Sequence, residues 1–369
     1  MRIAYDLRYA ADHFTGIGTH AWHLFESLVA APGDHRLVTL WNPRLEARRY
    51  EIPRHRSHSR VEWHERPIDP IHPRGLLPLA RWLREVRADV YFSPFYLRPL
   101  GAPCPSLLTI HDVWPLRGGE LTPIRALIYR MSLALAGGAA GIVTSSDFSR
   151  EEIVTLLGVP PARVHVVRPG VPSRPAATPR RPAAAPDGDF ALVVGDNRPR
   201  KNLDVLARAW AKLGDPPLSL VAAGPMISRF PSMDALAREA CARGVVTLGW
   251  LGSEELEWLY RNARMVLFPT RYEGFGFPLV EAFDRGLPAI ASDIPPLREI
   301  GEGAARFVPA GDAEAWAAAI RETLDDPAGR ERRVATGKER LAALSYERAA
   351  NAVLELAKSA AFSRRERVS

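Results

Sequence analysis

The chain has 369 residues, 47% hydrophobic and 25% charged, an ordinary globular balance long enough for two domains. Its net charge of +7 is carried almost wholly by Arg, since Lys201, Lys212, Lys338 and Lys358 are the only lysines. Cys104 and Cys241, far apart, exclude a disulfide framework or cysteine metal site and fit a reducing cytoplasm; no apolar run reaches the ~18 residues of a membrane span, and the opening M-R-I-A-Y-D-L-R lacks the apolar centre of a signal peptide.

In chain order, Arg2–Asp6 reads as a strand and Ile17–Ala30 as a helix. Arg36–Trp41 is a strand. The window from Asn42 to Ala88 then holds eleven Arg against six Asp or Glu. It reads as a solvated basic surface or as a face attracted to an anionic phospholipid or lipid-diphosphate acceptor. No nucleic-acid motif accompanies the charge. Ala88–Phe92 and Ser106–Ile110 are strands, the second ending at His111-Asp112; a helix at Pro123–Ala136 and a strand at Gly141–Ser145 follow. Ser173 to Gly188 (S-R-P-A-A-T-P-R-R-P-A-A-A-P-D-G) has no apolar period and reads as a linker. The alternation restarts with the strand Phe190–Gly195, the helix Asn202–Leu213 and the strands Leu218–Ala223, Val245–Leu248, Met265–Phe268 and Pro288–Ala291. It closes on a helix from Tyr346 to Phe362 and a charged tail. Strands alternating with helices predict α/β domains with parallel sheets. The boundaries read 1–172, linker 173–188, 189–344, and 345–369 as a terminal helix crossing back to the first domain.

Ligands of such sheets sit at the carboxyl ends of strands. Phe190–Gly195 ends in G-D-N-R-P-R-K-N, which gathers Arg198, Arg200 and Lys201 beside a glycine and before a helix, a phosphate-binding chemistry. Met265–Phe268 leads into Y-E-G-F-G-F-P-L-V-E. Gly274 and Gly276 allow close approach of backbone amides, and Pro278 suits the first turn of a helix. Glu281, read in that first turn, suits the paired hydroxyls of a ribose. Glu273 reaches a sugar beyond the diphosphate. As bland readings, Glu281 complements the helix dipole and the cations form a solvated turn.

These residues resemble a known family. E-G-F-G-F-P-L-V-E-A is similar to the E-x7-E signature of the retaining glycosyltransferases of family 4. T-G-I-G-T-H, T-I-H-D-V, S-S-D-F-S-R, V-R-P-G-V, R-P-R-K-N-L and S-Y-E-R-A-A have counterparts in the same order. The resemblance implies the GT-B fold, two Rossmann-like domains facing across a cleft, with the acceptor on the first domain and the nucleotide-sugar donor on the second. It implies that Glu281 binds the ribose, Glu273 the donor sugar, and Arg200 and Lys201 the diphosphate. Backbone amides from Phe275 through Gly276, Phe277 and Pro278 to Leu279 contact phosphates and sugar. His111 lies under the sugar, and a Gly16-Ile17-Gly18 loop passes near the diphosphate. Asp196 stands where many members carry Arg, and Arg198 is the substitute.

The reaction so implied retains anomeric configuration and needs no metal or cofactor. GDP-mannose is the favoured donor, a glycan or lipid-linked glycan the acceptor, and the cytoplasm, at the inner face of the membrane, the location. A UDP-sugar or other donor with a small-molecule acceptor is the alternative, followed by a GT-B epimerase or phosphorylase. A nicotinamide oxidoreductase fits less well. Gly16 to Ala21 matches G-x-G-x-x-A, but the first strand ends near Asp6, too far upstream, and Val38–Trp41 ends without an acidic residue.

Overall fold

The computed structural model describes residues 1–12, 14–47, 50, 55–117, 121–172, 178–214 and 216–368. Two compact units form, Met1–Pro172 with Leu344–Ser369, and Ser173–Ala343. Of the predicted linker, residues 173–177 lie outside those described. Residues 178–188 are irregular, and Arg181 donates to Asp187 at 2.6 Å.

Among the described residues the first unit carries seven strands: β1 (Arg2–Asp6), β2 (Arg36–Trp41), β3 (Val61–Glu65), β4 (Val90–Ser93), β5 (Ser106–Thr109), β6 (Gly141–Thr144) and β7 (Val164–Val166). Their order is β3-β2-β1-β4-β5-β6-β7, and every pair is parallel. Successive side chains point to opposite faces, so apolar runs feed two cores. Ile3, Tyr5, Val90 and Phe92 enter one, and Ala4, Tyr91, Leu108 and Ile142 the other.

The first core is completed from the far end of the sequence. In the helix Tyr346–Val368, Tyr346, Ala349, Ala350, Val353, Leu354 and Ala357 recur at helical spacing. They pack with Ala21, Leu24, Phe25 and Leu28 of the helix Thr15–Ala30. Only glycine fits where the chain passes the start of the terminal helix, because a Cβ on Gly170 would stand 2.2 Å from the Tyr346 nitrogen.

The second unit repeats the plan with β8 (Phe190–Val194), β9 (Ser219–Ala223), β10 (Val245–Gly249), β11 (Met265–Phe268), β12 (Ala289–Ser292) and β13 (Ala305–Val308). The order is β10-β9-β8-β11-β12-β13, again parallel throughout. Ala191, Val193, Leu220, Met265, Leu267 and Ile290 face helices carrying Leu206, Trp210, Trp316 and Ile320. In both sheets the strand order reverses beside the first strand, at β1/β4 and β8/β11. That crevice is where ligands of doubly wound sheets bind.

Three strands add to those predicted, and one expectation is corrected. β3, β7 and β13 were not anticipated from sequence; all three are edge strands. The Gly16–Gly18 segment is not a loop but the first turn of the helix Thr15–Ala30.

Candidate functional site

The polar residues of the second unit converge at the β8/β11 reversal. β8 runs out through Gly195 into a single turn of 3-10 helix, Pro199–Lys201, and β11 runs out through Pro269 and Thr270 to Glu273. Because β8 and β11 are hydrogen-bonded neighbours, residues about 70 positions apart become adjacent. Lys201 Nζ lies 2.5 Å from Glu273 Oε1, and Arg200 Nη1 3.8 Å from Glu273 Oε2. Thr270 Oγ1 is 3.1 Å from Glu273 Oε1. Burial alone would raise the Glu273 pKa, but the charges of Lys201 and Arg200, with hydrogen bonds from Lys201 and Thr270, hold it below the usual carboxylate range. Glu273 is thus an ionised, buried carboxylate between two cations.

Asn202 fixes the turn that presents these cations. It sits in the left-handed region at φ 59°, a conformation that asparagine tolerates. Its buried amide donates to the carbonyls of Pro269 at 2.8 Å and Ala310 at 2.7 Å, and its oxygen accepts from Arg271 Nε at 2.7 Å. One side chain therefore ties the turn after β8 to those after β11 and β13. Arg271 N–H adds a bond to the Arg200 carbonyl at 2.8 Å. The turns after β8 and β9 press together as well. Gly224 has φ +150°, and a Cβ there would meet the Gly195 oxygen at 2.0 Å.

Gly276, at φ +120°, precedes the helix Phe277–Asp284, and Pro278 occupies its first turn. Phe275 is buried and its ring meets Phe277 edge-on at 5.3 Å. Leu279 N–H donates to the Gly276 carbonyl at 3.0 Å, and proline has no N–H. Of the run from Phe275 to Leu279, the amides of Phe275, Gly276 and Phe277 remain the candidates for an anionic ligand. Glu281 is the fifth residue of this helix, so it lies in the second turn rather than the first. Tyr260 donates to its Oε2 at 2.5 Å, and burial and then the Glu281 charge hold the Tyr260 hydroxyl protonated. Arg198 is half-exposed, 3.6 Å from Asp196.

In the first unit, His111 follows β5 and is partly buried. Its Nε2 lies 2.9 Å from the Pro94 carbonyl, which makes that nitrogen the protonated one in the neutral ring, and its own carbonyl accepts from Ser149 Oγ at 3.2 Å. Burial depresses its pKa, so the ring is neutral near neutral pH. Gly16 is exposed; Gly18 is buried, where a Cβ would stand 3.1 Å from the Ala11 oxygen. Thr270, Asn202 and Tyr260 are the supporting residues that sequence reasoning missed. Asn202 alone left a signal, as the N of R-P-R-K-N-L. Chemically, two cations, an ionised carboxylate and a helix start suit a ligand that combines phosphate with hydroxyls.

Comparison with known proteins agrees with this chemistry. The family profile described as Glycosyltransferase Family 4 matches residues 14–174, and that described as Glycosyl transferases group 1 matches residues 177–340. The O-antigen chain mannosyltransferase B of Escherichia coli is 29% identical over 296 residues, 75% of each chain. A D-inositol 3-phosphate glycosyltransferase of Kineococcus radiotolerans is 30% identical over 329 residues, 81% of this chain and 73% of the relative. Among solved structures, sucrose-phosphate synthase from Thermosynechococcus elongatus shares the fold with a TM-score of 0.72 at 20% identity, over 97% of this chain and 98% of the other. The Anabaena protein HepE, solved with UDP and glucose, gives a TM-score of 0.72 at 16% identity over 97% and 100%.

Proposed function

The chain belongs to glycosyltransferase family 4, and on that premise we propose that it moves mannose from GDP-mannose to a glycan or lipid-linked glycan, with retention at the anomeric carbon. The observation that carries the reading is the Lys201–Glu273–Arg200 group, with its buried carboxylate, at the β8/β11 reversal. Breaking a sugar–phosphate bond builds negative charge on the departing diphosphate. Lys201, Arg200 and the amides of Phe275–Phe277 are donors for that charge, already held in place before the reaction. Glu273 accepts from hydroxyls of the donor sugar. Glu281, oriented by Tyr260, accepts from the ribose. His111 offers Nδ1, the unprotonated nitrogen of its neutral ring, to a sugar hydroxyl, and Arg198, Gly16 and Gly18 serve donor binding. The acceptor hydroxyl attacks the anomeric carbon from the face the phosphate leaves, and its proton passes to a phosphate oxygen. No metal is required in this scheme. Mannose is favoured because the Escherichia coli relative is named a mannosyltransferase.

A second reading, transfer from another nucleotide sugar to a small phosphorylated acceptor, is favoured by the name of the Kineococcus relative. A thermal-shift panel of GDP, UDP, ADP and TDP sugars separates the donors, since the bound ligand stabilises by mass action. The strongest shift is expected with GDP-mannose, followed by EDTA-resistant transfer of mannose to a mannose-terminated glycan. A dominant shift with a UDP-sugar, and transfer to inositol phosphate, would select the second reading.

A further inference from the structure

The helix Pro123–Ala136 is apolar on two faces. Tyr129, Leu133 and Ala136 are buried in the first unit. Ile124, Leu127, Ile128, Met131 and Leu135 recur three and four residues apart on the opposite side, each between 42% and 74% exposed. Large exposed hydrophobic residues scattered singly are ordinary. Here five of the eleven such residues described fall on one helix of 14 residues, as a continuous stripe.

The charges on this helix are all of one sign. The helix, P-I-R-A-L-I-Y-R-M-S-L-A-L-A, contains no Asp or Glu. At 3.6 residues per turn, Arg125 falls on one border of the stripe and Arg130 on the other, and both are exposed. The Asn42–Ala88 window behaves differently, because Arg56 pairs with Glu65 at 2.6 Å and Arg66 with Glu85 at 3.5 Å.

We propose that this stripe docks the first unit onto an anionic phospholipid bilayer, with the helix lying in the plane of the headgroups. Fourteen residues span about 21 Å, too short to cross the ~30 Å hydrocarbon core, and no described helix is long and apolar enough to do so. A helix lying flat buries aliphatic side chains just below the headgroups, while long basic side chains at its borders reach outward to phosphate. The net charge of +7 adds long-range attraction to the same surface. A second copy of the chain is a poorer occupant, since a two-fold pairing of these stripes brings arginine borders together with no carboxylate on the helix to offset them. The proposal is independent of which sugar is transferred.

The test is flotation of the full-length chain with vesicles of phosphatidylcholine alone and of phosphatidylcholine with phosphatidylglycerol. Wild type should float with the anionic vesicles and be released as salt rises. Leu127→Gln with Met131→Gln, both at exposed positions, should weaken partitioning about tenfold or more with unchanged melting temperature. Arg125→Glu with Arg130→Glu should remove the preference for anionic lipid. Wild type that stays in solution, or variants that float as wild type does, would overturn the proposal. So would a wild-type dimer that the Gln variant converts to monomer without any vesicle binding.

Discussion

Lys201 and Glu273 are 72 positions apart and stand 2.5 Å from each other. If Lys201 meets the diphosphate as charge develops there, Lys201→Ala should lower turnover by roughly 100-fold or more, with a smaller change in donor binding. Activity within a few-fold of wild type would remove Lys201 from the chemistry. Glu273 has the opposite sign and a linked consequence. Its pKa is depressed in the fold because the cations outweigh burial. A depressed carboxylate contributes stability above its unfolded pKa, and that stability is lost as pH falls through the unfolded and then the folded value. The second unit should therefore lose melting temperature below about pH 4, and Glu273→Gln should flatten that acid limb while lowering stability at neutral pH. The same variant frees both cations, so it should bind nucleoside diphosphate at least as tightly as wild type while losing sugar transfer. A wild-type acid limb in Glu273→Gln would show that the ion pair does not set the pH response. The types of these residues were legible in the sequence as cations before one helix and carboxylates around another. Their pairing was not, because no local pattern reports a contact made across adjacent strands. Tyr260, 21 positions before Glu281, escaped for the same reason.

Among elements, the interior strands and the edge strand β10 were legible, and the edge strands β3, β7 and β13 were not. β1, β4 and β11 are buried and read as apolar runs. β3 reads V-E-W-H-E and is only partly buried at every position, so its period is masked by charge; β7 (V-H-V) and β13 (A-R-F-V) are each interrupted by a polar residue. An edge strand tolerates charge because one side has no partner, and a reading by apolar run passes over these three while finding V-V-T-L of β10. The turns between strands are fixed by single residues, which makes them testable one at a time. Gly224→Ala forces a Cβ toward the Gly195 oxygen at a positive φ. It should push the turns after β8 and β9 apart and lower stability by about 1–3 kcal/mol. Asn202→Ala leaves the buried Pro269 carbonyl and the part-buried Ala310 carbonyl without their donor, which should cost about 2–4 kcal/mol. Its effect on nucleotide binding should exceed that of Gly224→Ala, because Asn202 holds the turn bearing Arg200 and Lys201. Equal losses of binding in the two variants would show that the turns respond as one body.

At the scale of the whole chain, the first unit is discontinuous in sequence. It is assembled from Met1–Pro172 and Leu344–Ser369, and the second unit, Ser173–Ala343, is inserted between these pieces. The sheet of the second unit is complete without either flank, whereas a core of the first depends on the terminal helix. Removing that helix withdraws Tyr346, Val353 and Leu354 from contact with Phe25 and Leu28. Each fully buried large side chain is worth roughly 1.5–3 kcal/mol, so the loss approaches the whole stability of an ordinary domain. A chain ending at Ala343 should therefore lose the first unit and keep the second. Calorimetry should show one transition removed and the other retained, and the retained transition should still rise with nucleoside diphosphate, because Lys201, Arg200, Glu273 and Glu281 all lie within Ser173–Ala343. Proteolysis of the truncated chain should cut within Met1–Pro172 and spare the second unit. Loss of both transitions would mean that the second unit draws its stability from the first, and retention of both would mean that the terminal helix is dispensable to the core it fills.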